Sequence, residues 1–438
     1  MATYKLKKGL DLNLKGRISD QNMGDASPSP LYAIVPDDFE GLVPRMDKRE
    51  GDAVVAGEPL FHDKNHEQIK VVSPISGIVK EVRRGERRHI DAITIEPNGN
   101  HAVQKQDLTR PVVEVLLESG LWAMLRQRPY DVVPNPNVRP RDIFVTCFDS
   151  APLAPDLQLV MGDGKKFLSA GVKALKTLTD GDVYLGYRPG DDFQAESVTS
   201  NVFEGPHPAG NAGVQIAQVK PVNKGEVVWT LDVVTLARIG ELFTTGVVNH
   251  NTVIAVTGES VTQPRYVRAV MGCTLKSLCA DVSKEDVRVI SGNVLTGHRV
   301  NADGFLRAPY RHLTVIPEVG KADEFMGWAS LNPNRFSIYR DFTSWLFRKK
   351  EVSFDSRVKG GERAIVRTGE YDRMLPMDIY AEFLVKAIIT FDIDKMEQLG
   401  IYEVAPEDFA LAEYADTSKL ELQRIVREGL NRMRAEME

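Results

Sequence analysis

The sequence predicts a multidomain α/β protein, and three observations carry that reading. A chain of 438 residues exceeds what one hydrophobic core usually serves, so two to four domains are expected. Short apolar runs broken by Gly, Pro and Asp fill the N-terminal part, whereas helical periodicity dominates the C-terminal part. Between them the order is strand–helix–strand, which predicts parallel pairing through a crossover. Apolar content of 42% and charged content of 26% fit an ordinary globular chain.

Residues 1–105 read as β-rich. In "MDKREGDAVVAGEPLF" (46–61), Gly51 and Gly57 allow tight turns, while Ala53, Val55 and Leu60 supply apolar positions. "FHDKNHEQIKVVSPISGIVKEV" (61–82) follows, and "DAITIEPNGN" (91–100) supplies a closing strand and turn. The whole has the pattern of a lipoyl or biotinyl carrier module, a small β barrel that presents a modified lysine on a tight hairpin. Here Lys64 would be that lysine, but the turn towards Pro74 is longer than a carrier's. An exposed lysine in a polar turn is the simpler reading, and it is preferred.

Residues 106–141 form a connector. "DLTRPVVEVLLESGLWAMLRQRP" (107–129) predicts a helix with Asp107 as N-cap and a stripe at Val112, Val115, Leu116 and Leu121. "YDVVPNPNVRPRD" (130–142) is a stiff, proline-rich link. Residues 142–250 carry the α/β signal: strands at 142–150 and 182–190, helices at 163–181 and 230–248. Residues 251–355 begin with a compact β-rich module, "TVIAVTGESVTQPRYVRAVMGCTLKSLC" (252–279), read as strand, turn, strand and short helix. Residues 356–438 are helical, with segments at 378–390 and 419–438.

Several functions are excluded. A net charge of −6 argues against non-specific nucleic-acid binding. Cys147, Cys273 and Cys279 are too few for a disulfide framework, suit a reducing compartment, and lack the C-x-x-C spacing of zinc or iron–sulfur ligands. "MATYKLKKGLDLNLKG" has no apolar core, which predicts no signal peptide. The longest apolar stretches, such as 384–393, are too short to span a bilayer. After the strand at 142–148 no G-x-G-x-x-G opens a helix, and there is no P-loop, so a conventional dinucleotide or ATP site is not expected.

Two stretches stand out as candidate ligand sites. In "GPHPAG" (205–210), His207 between two prolines either meets a ligand carbonyl or sits solvated in a rigid turn. "SGLWAMLRQRPY" (119–130) gathers Trp122, Arg126, Arg128 and Tyr130. A cation beside aromatics suits an oxidised ring or a phosphate. Against that, Trp122 fills an interdomain core and the arginines cap a helix C-terminus. "RGERRH" (84–89) and "FRKKE" (347–351) are solvated faces or contacts for anionic lipid. The aromatic-rich 325–347 is core or an apolar docking face.

"KLKKGLDL" (5–12), "GDAVVAGEPLF" (51–61), "SGLWAMLRQRP" (119–129), "GPHPAG" (205–210), "VISGNVLTG" (289–297), "LTVIPE" (313–318) and "RMLPMDI" (373–379) run in order through nearly the whole chain. Together they resemble the NqrA subunit of the bacterial sodium-translocating NADH:quinone oxidoreductase. More distantly the chain is similar to the C subunit of Rnf complexes, and to the NADH-binding flavoprotein subunit of complex I. The resemblance implies an N-terminal lipoyl/biotinyl-like β barrel, a Rossmann-like α/β domain, a β-grasp ligand-binding-like module and a C-terminal helical region. It implies a peripheral subunit on the cytoplasmic face of the bacterial inner membrane, with integral membrane and flavin-bearing subunits as partners. No cofactor is expected on this chain, because the glycine-rich flavin loop of the distant kin is replaced by "GLWAMLRQRP", where Trp122 and Met124 would block phosphate approach. Quinone is the implied ligand, with Trp122, Arg126, Tyr130 and His207 as contacts. A purely structural docking role is the alternative. A Cys-Pro-Gly element common in the family near 412–419 is missing from "AEYADTSK".

Overall fold

The computed structural model describes residues 2–437 apart from 20–22, 192, 194, 320–335, 339–345, 347–350 and 359. Most of the aromatic-rich stretch and of "FRKKE" therefore lies outside the described residues.

The β-rich N-terminal part is a sandwich of two small antiparallel sheets. One runs Tyr32–Ile34, Ile90–Pro97, Gly77–Arg84, Ala53–Val54; the other runs Pro44–Met46, Pro59–Asp63, Lys70–Val72. Alternation sends Leu60, Ile69, Val79, Ile93 and Ile95 inward. The turn after Asp63 is polar, as its composition predicts. The Asp63 carboxylate accepts the N–H of Val43 (2.8 Å) and of His66 (3.0 Å), which fixes the turn and leaves Lys64 exposed.

The first twenty-five residues do not belong to this barrel. Ala2–Lys5 pairs in parallel with Thr199–Glu204, and Met23–Asp25 pairs in parallel with Arg265–Val270. The barrel proper thus starts later than the expected boundary at residue 1. Each N-terminal strand instead completes the edge of another domain's sheet, where its main-chain groups find partners.

The expected long helix from Asp107 is broken. Its α-helical part is only Val112–Glu118, starting after Pro111, while Asp107 closes the turn before it by accepting Thr109 N–H at 3.0 Å. Gly120, at φ +78°, reverses the chain. A 3-10 turn at Trp122–Met124 and a strand at Arg126–Arg128 follow. The apolar stripe misleads because Val115, Leu116 and Leu121 are all buried although they lie on different elements.

The α/β sheet, among the described residues, has the order Ala2–Lys5, Thr199–Glu204, Val183–Tyr187, Asp142–Thr146, Val228–Asp232, Arg126–Arg128. Only the last strand is antiparallel. Helices Leu168–Lys176 and Val233–Thr245 cross very closely on one face. A Cβ at Gly171 would lie 2.4 Å from the Leu236 carbonyl oxygen, and one at Gly240 would lie 1.9 Å from that of Phe167. The backbone contact therefore demands glycine on both helices.

The next module is a mixed sheet ordered His298–Val300, Val287–Ser291, His312–Pro317, Asn251–Thr257, Arg265–Val270, Met23–Asp25. The C-terminal part is helical, with Ala381–Thr390 and Leu422–Met437 as its longest elements. Leu422, Val426, Leu430 and Met433 recur at helical spacing and are buried with Leu384, Val385 and Ile388.

Candidate functional site

The "GPHPAG" loop joins the strand Thr199–Glu204 to the helix Ala212–Val219. Its histidine is not solvated: His207 keeps 4% of its surface. The His207 main-chain N–H donates to Asp11 Oδ1 at 2.9 Å, which ties the loop to the N-terminal segment. Ser150 Oγ lies 2.9 Å from His207 Nδ1 and accepts the N–H of Gly210 at 2.8 Å. His207 Nε2 is buried with no partner. Burial pushes the imidazole down to about 4, against a smaller upward pull from the Ser150 backbone, so the ring is neutral at pH 7.

The second stretch divides between environments. Trp122 is fully buried; its indole N–H donates to Pro134 O at 2.9 Å and its ring meets Trp229 edge-on at 5.0 Å. Its bulk lies in the core shared by the barrel and the α/β sheet. Arg126 turns back onto the main chain, donating to Asp38 O (2.6 Å), Ala123 O and Leu125 O (both 3.3 Å). Tyr130 is buried in a different cluster, with Ala209 of the "GPHPAG" loop, Phe148 and the C-terminal helices. Of the four sequence-derived residues, Tyr130 and His207 thus share a neighbourhood, while Trp122 and Arg126 face elsewhere.

Arg128 is the residue whose role composition cannot show. Fully buried, it donates to Glu407 at 3.0 Å and Asp408 at 3.1 Å. Asn211, just past the loop, donates to the Glu407 main-chain oxygen at 3.2 Å. Burial, and then the adjacent Asp408, raises the Glu407 carboxyl. Its side chain nevertheless keeps 43% of its surface, as expected of a group lining a crevice. Across from it stands Tyr310, whose hydroxyl donates to Thr296 O (3.0 Å) and meets His298 Nδ1 (2.9 Å). Burial raises the Tyr310 phenol, and Asp38, Arg307, Arg126 and Glu407 all act on it electrostatically. Asp38 in turn holds Arg307 at 2.5 Å and accepts the Ala308 N–H at 2.9 Å. Asp38, Ser150, Arg307, Tyr310, Glu407 and Asp408 carry no local sequence signal, since each matters through a partner distant in the chain.

No group of three His, Cys, Asp or Glu among the described residues is placed to hold a metal. The three cysteines are buried thiols; burial pushes Cys273 up to about 12 and Cys147 further still.

Residues 4–98 match the model of the NqrA N-terminal barrel-sandwich hybrid domain, residues 108–248 the NqrA second alpha/beta domain, and residues 253–302 the NQRA C-terminal domain. Similar over their whole length are the NqrA subunits of the Na(+)-translocating NADH-quinone reductases of Hahella chejuensis and Yersinia pestis bv. Antiqua. The first is 35% identical over 445 residues and the second 34% over 446, each covering 99% of both chains. The chain belongs to the NqrA family. The Vibrio parahaemolyticus member is 35% identical, covering 98% of this chain and 99% of its own. Among solved structures, an NAD+-reducing [NiFe]-hydrogenase aligns with 48% of each chain at 15% identity and TM-score 0.33, too partial a likeness to bear on function. Family membership agrees with the multidomain α/β architecture read from the sequence. The relatives are named as subunits of an oxidoreductase complex. No helix among the described residues is long and apolar enough to cross a membrane.

Proposed function

We propose that this chain is the peripheral NqrA subunit of a sodium-translocating NADH:quinone oxidoreductase, seated on the cytoplasmic face of the bacterial inner membrane. It docks on the integral membrane and flavin-bearing subunits, holds no redox cofactor of its own, and offers quinone a contact beside the "GPHPAG" loop. Support comes first from the full-length similarity to members of that family. The observation that carries the quinone contact is the orphaned Nε2 of a buried, neutral His207. Ser150 Oγ already accepts the Gly210 N–H, so its own proton is available to Nδ1. The imidazole proton then sits on Nε2, a donor suited to a quinone carbonyl oxygen. Tyr130 supplies an aromatic wall in the same cluster, and Trp122 and Arg126 support it from the core and the main chain.

A docking role without any ligand is the second reading, and specific observations favour it: Trp122 presents no open face, and Arg126 is engaged with three carbonyls. His207→Gln and Tyr130→Leu, assembled into the complex, decide between them. The quinone reading expects normal assembly with weaker apparent quinone affinity. Unchanged affinity and activity in both variants would leave the docking role alone. Intact mass of the purified chain, expected to equal the sequence mass, separates both from a carrier modified at Lys64.

A further inference from the structure

Arg238 lies on the helix Val233–Thr245, facing the junction between the α/β sheet and the following mixed sheet. It retains 5% of its surface. A guanidinium so deeply placed normally faces a carboxylate, because an unpaired buried ion is strongly disfavoured. Arg238 makes no ion pair with any described residue. Its contacts are the Asn251 main-chain oxygen at 2.7 Å and the Met271 sulfur at 3.2 Å. The acids nearby are otherwise engaged: Asp232 binds Arg311 at 3.0 Å, and Glu241 accepts from Asn249 at 3.1 Å. Burial, reinforced by the Arg311 charge, pushes Arg238 down to about 9, so it remains a cation at neutral pH. His250 beside it, pushed down to about 3, is neutral and provides no counter-charge.

The same guanidinium lines a cleft of about 690 Å³ between the two domains. Thr252, another lining residue, is buried with an unpartnered hydroxyl. Met161, Phe167, Val234 and Val253 give the cleft apolar walls. Lys166, Arg268, Asp25 and Asp163 stand exposed around it, where water and salt screen both signs. The buried Arg238 therefore sets the electrostatics of the floor.

We propose that this cleft is a binding site for a small organic anion, its acidic group on Arg238 and Thr252 and its apolar body between Phe167 and Val253. A carboxylate and a phosphate or sulfonate ester share the required chemistry. The site is separate from the quinone reading, whose ligand headgroup is neutral.

The test uses the full chain and the fluorescent probe 1-anilinonaphthalene-8-sulfonate. One saturable site per chain is expected. Octanoate and octyl phosphate should displace the probe, whereas inorganic phosphate alone should not; the stronger of the two displacers identifies the preferred acid. Arg238→Met should weaken probe binding at least tenfold with an unchanged far-ultraviolet circular dichroism spectrum. Val253→Trp, which fills the cleft without touching the charge, should do the same and decides the matter if Arg238→Met fails to fold. Wild-type affinity in the folded variants, or many non-competed probe molecules per chain, would overturn the proposal.

Discussion

Arg128 meets Asp408 at 3.1 Å with 1% and 0% of their side-chain surfaces exposed, binding the edge strand of the α/β sheet to the C-terminal helical part. In such a pair neither ion has water to fall back on, so loss of one partner is felt in full. Arg128→Met should destabilise the chain by about 3–5 kcal/mol in urea unfolding. Arg128→Met combined with Asp408→Leu should recover much of that, because no charge is then left buried and unpaired. A single variant with wild-type stability would show that the two segments are held by apolar contact alone.

Stability should fall as the pH drops from about 6.5 towards 4. His207 is lowered from 6.5 to about 4 in the folded chain, so between those values the unfolded state binds the extra proton. The stabilisation is complete above pH 6.5 and is lost as acid protonates the unfolded chain, amounting to about 3 kcal/mol at most. His250 and His312, both pushed down to about 3 by burial, act in the same direction. His207→Gln should remove about one proton from the slope of stability against pH. An unchanged slope would mean that the imidazole is not buried in its neutral form.

Trp122→Ala should cost about 3–5 kcal/mol, from the cavity beside Trp229. Trp122→Phe should be much milder and should leave apparent quinone affinity of the assembled complex unaltered. A selective loss of quinone affinity in Trp122→Phe would restore the indole as a ligand wall.

Gly240→Ala should destabilise by about 1–3 kcal/mol, since the new methyl would meet the Phe167 carbonyl oxygen. Thermal unfolding checks this, with Gly162→Ala as a contrast: a Cβ there meets nothing within 4 Å, although its φ of +51° carries a backbone penalty of its own.

The parts of the fold legible in the sequence are those in which one local period suffices. Strands 142–146 and 183–187 and helices 381–390 and 422–437 fall inside the segments that periodicity marks. The 107–129 stretch is illegible because burial, not helix, sets its apolar spacing, and Gly120 is the only punctuation. At the site, "GPHPAG" betrays His207 through its prolines. Ser150, Asp11 and Arg128's acidic partners cannot be anticipated, since they lie 57, 196, 279 and 280 positions from the groups they bind.

The two N-terminal strands have a consequence for how the chain is made. Ala2 pairs with Asn201 and Met23 with Tyr266, so the first segment off the ribosome is among the last to find its place. At ordinary synthesis rates that wait is on the order of ten seconds or more, with unpaired edge groups accessible throughout. A chain built this way favours assistance from a holding chaperone during translation. It should also tolerate an affinity tag better at its C-terminus, where Leu422–Met437 ends in exposed residues, than at its N-terminus, where strand pairing begins at the second residue.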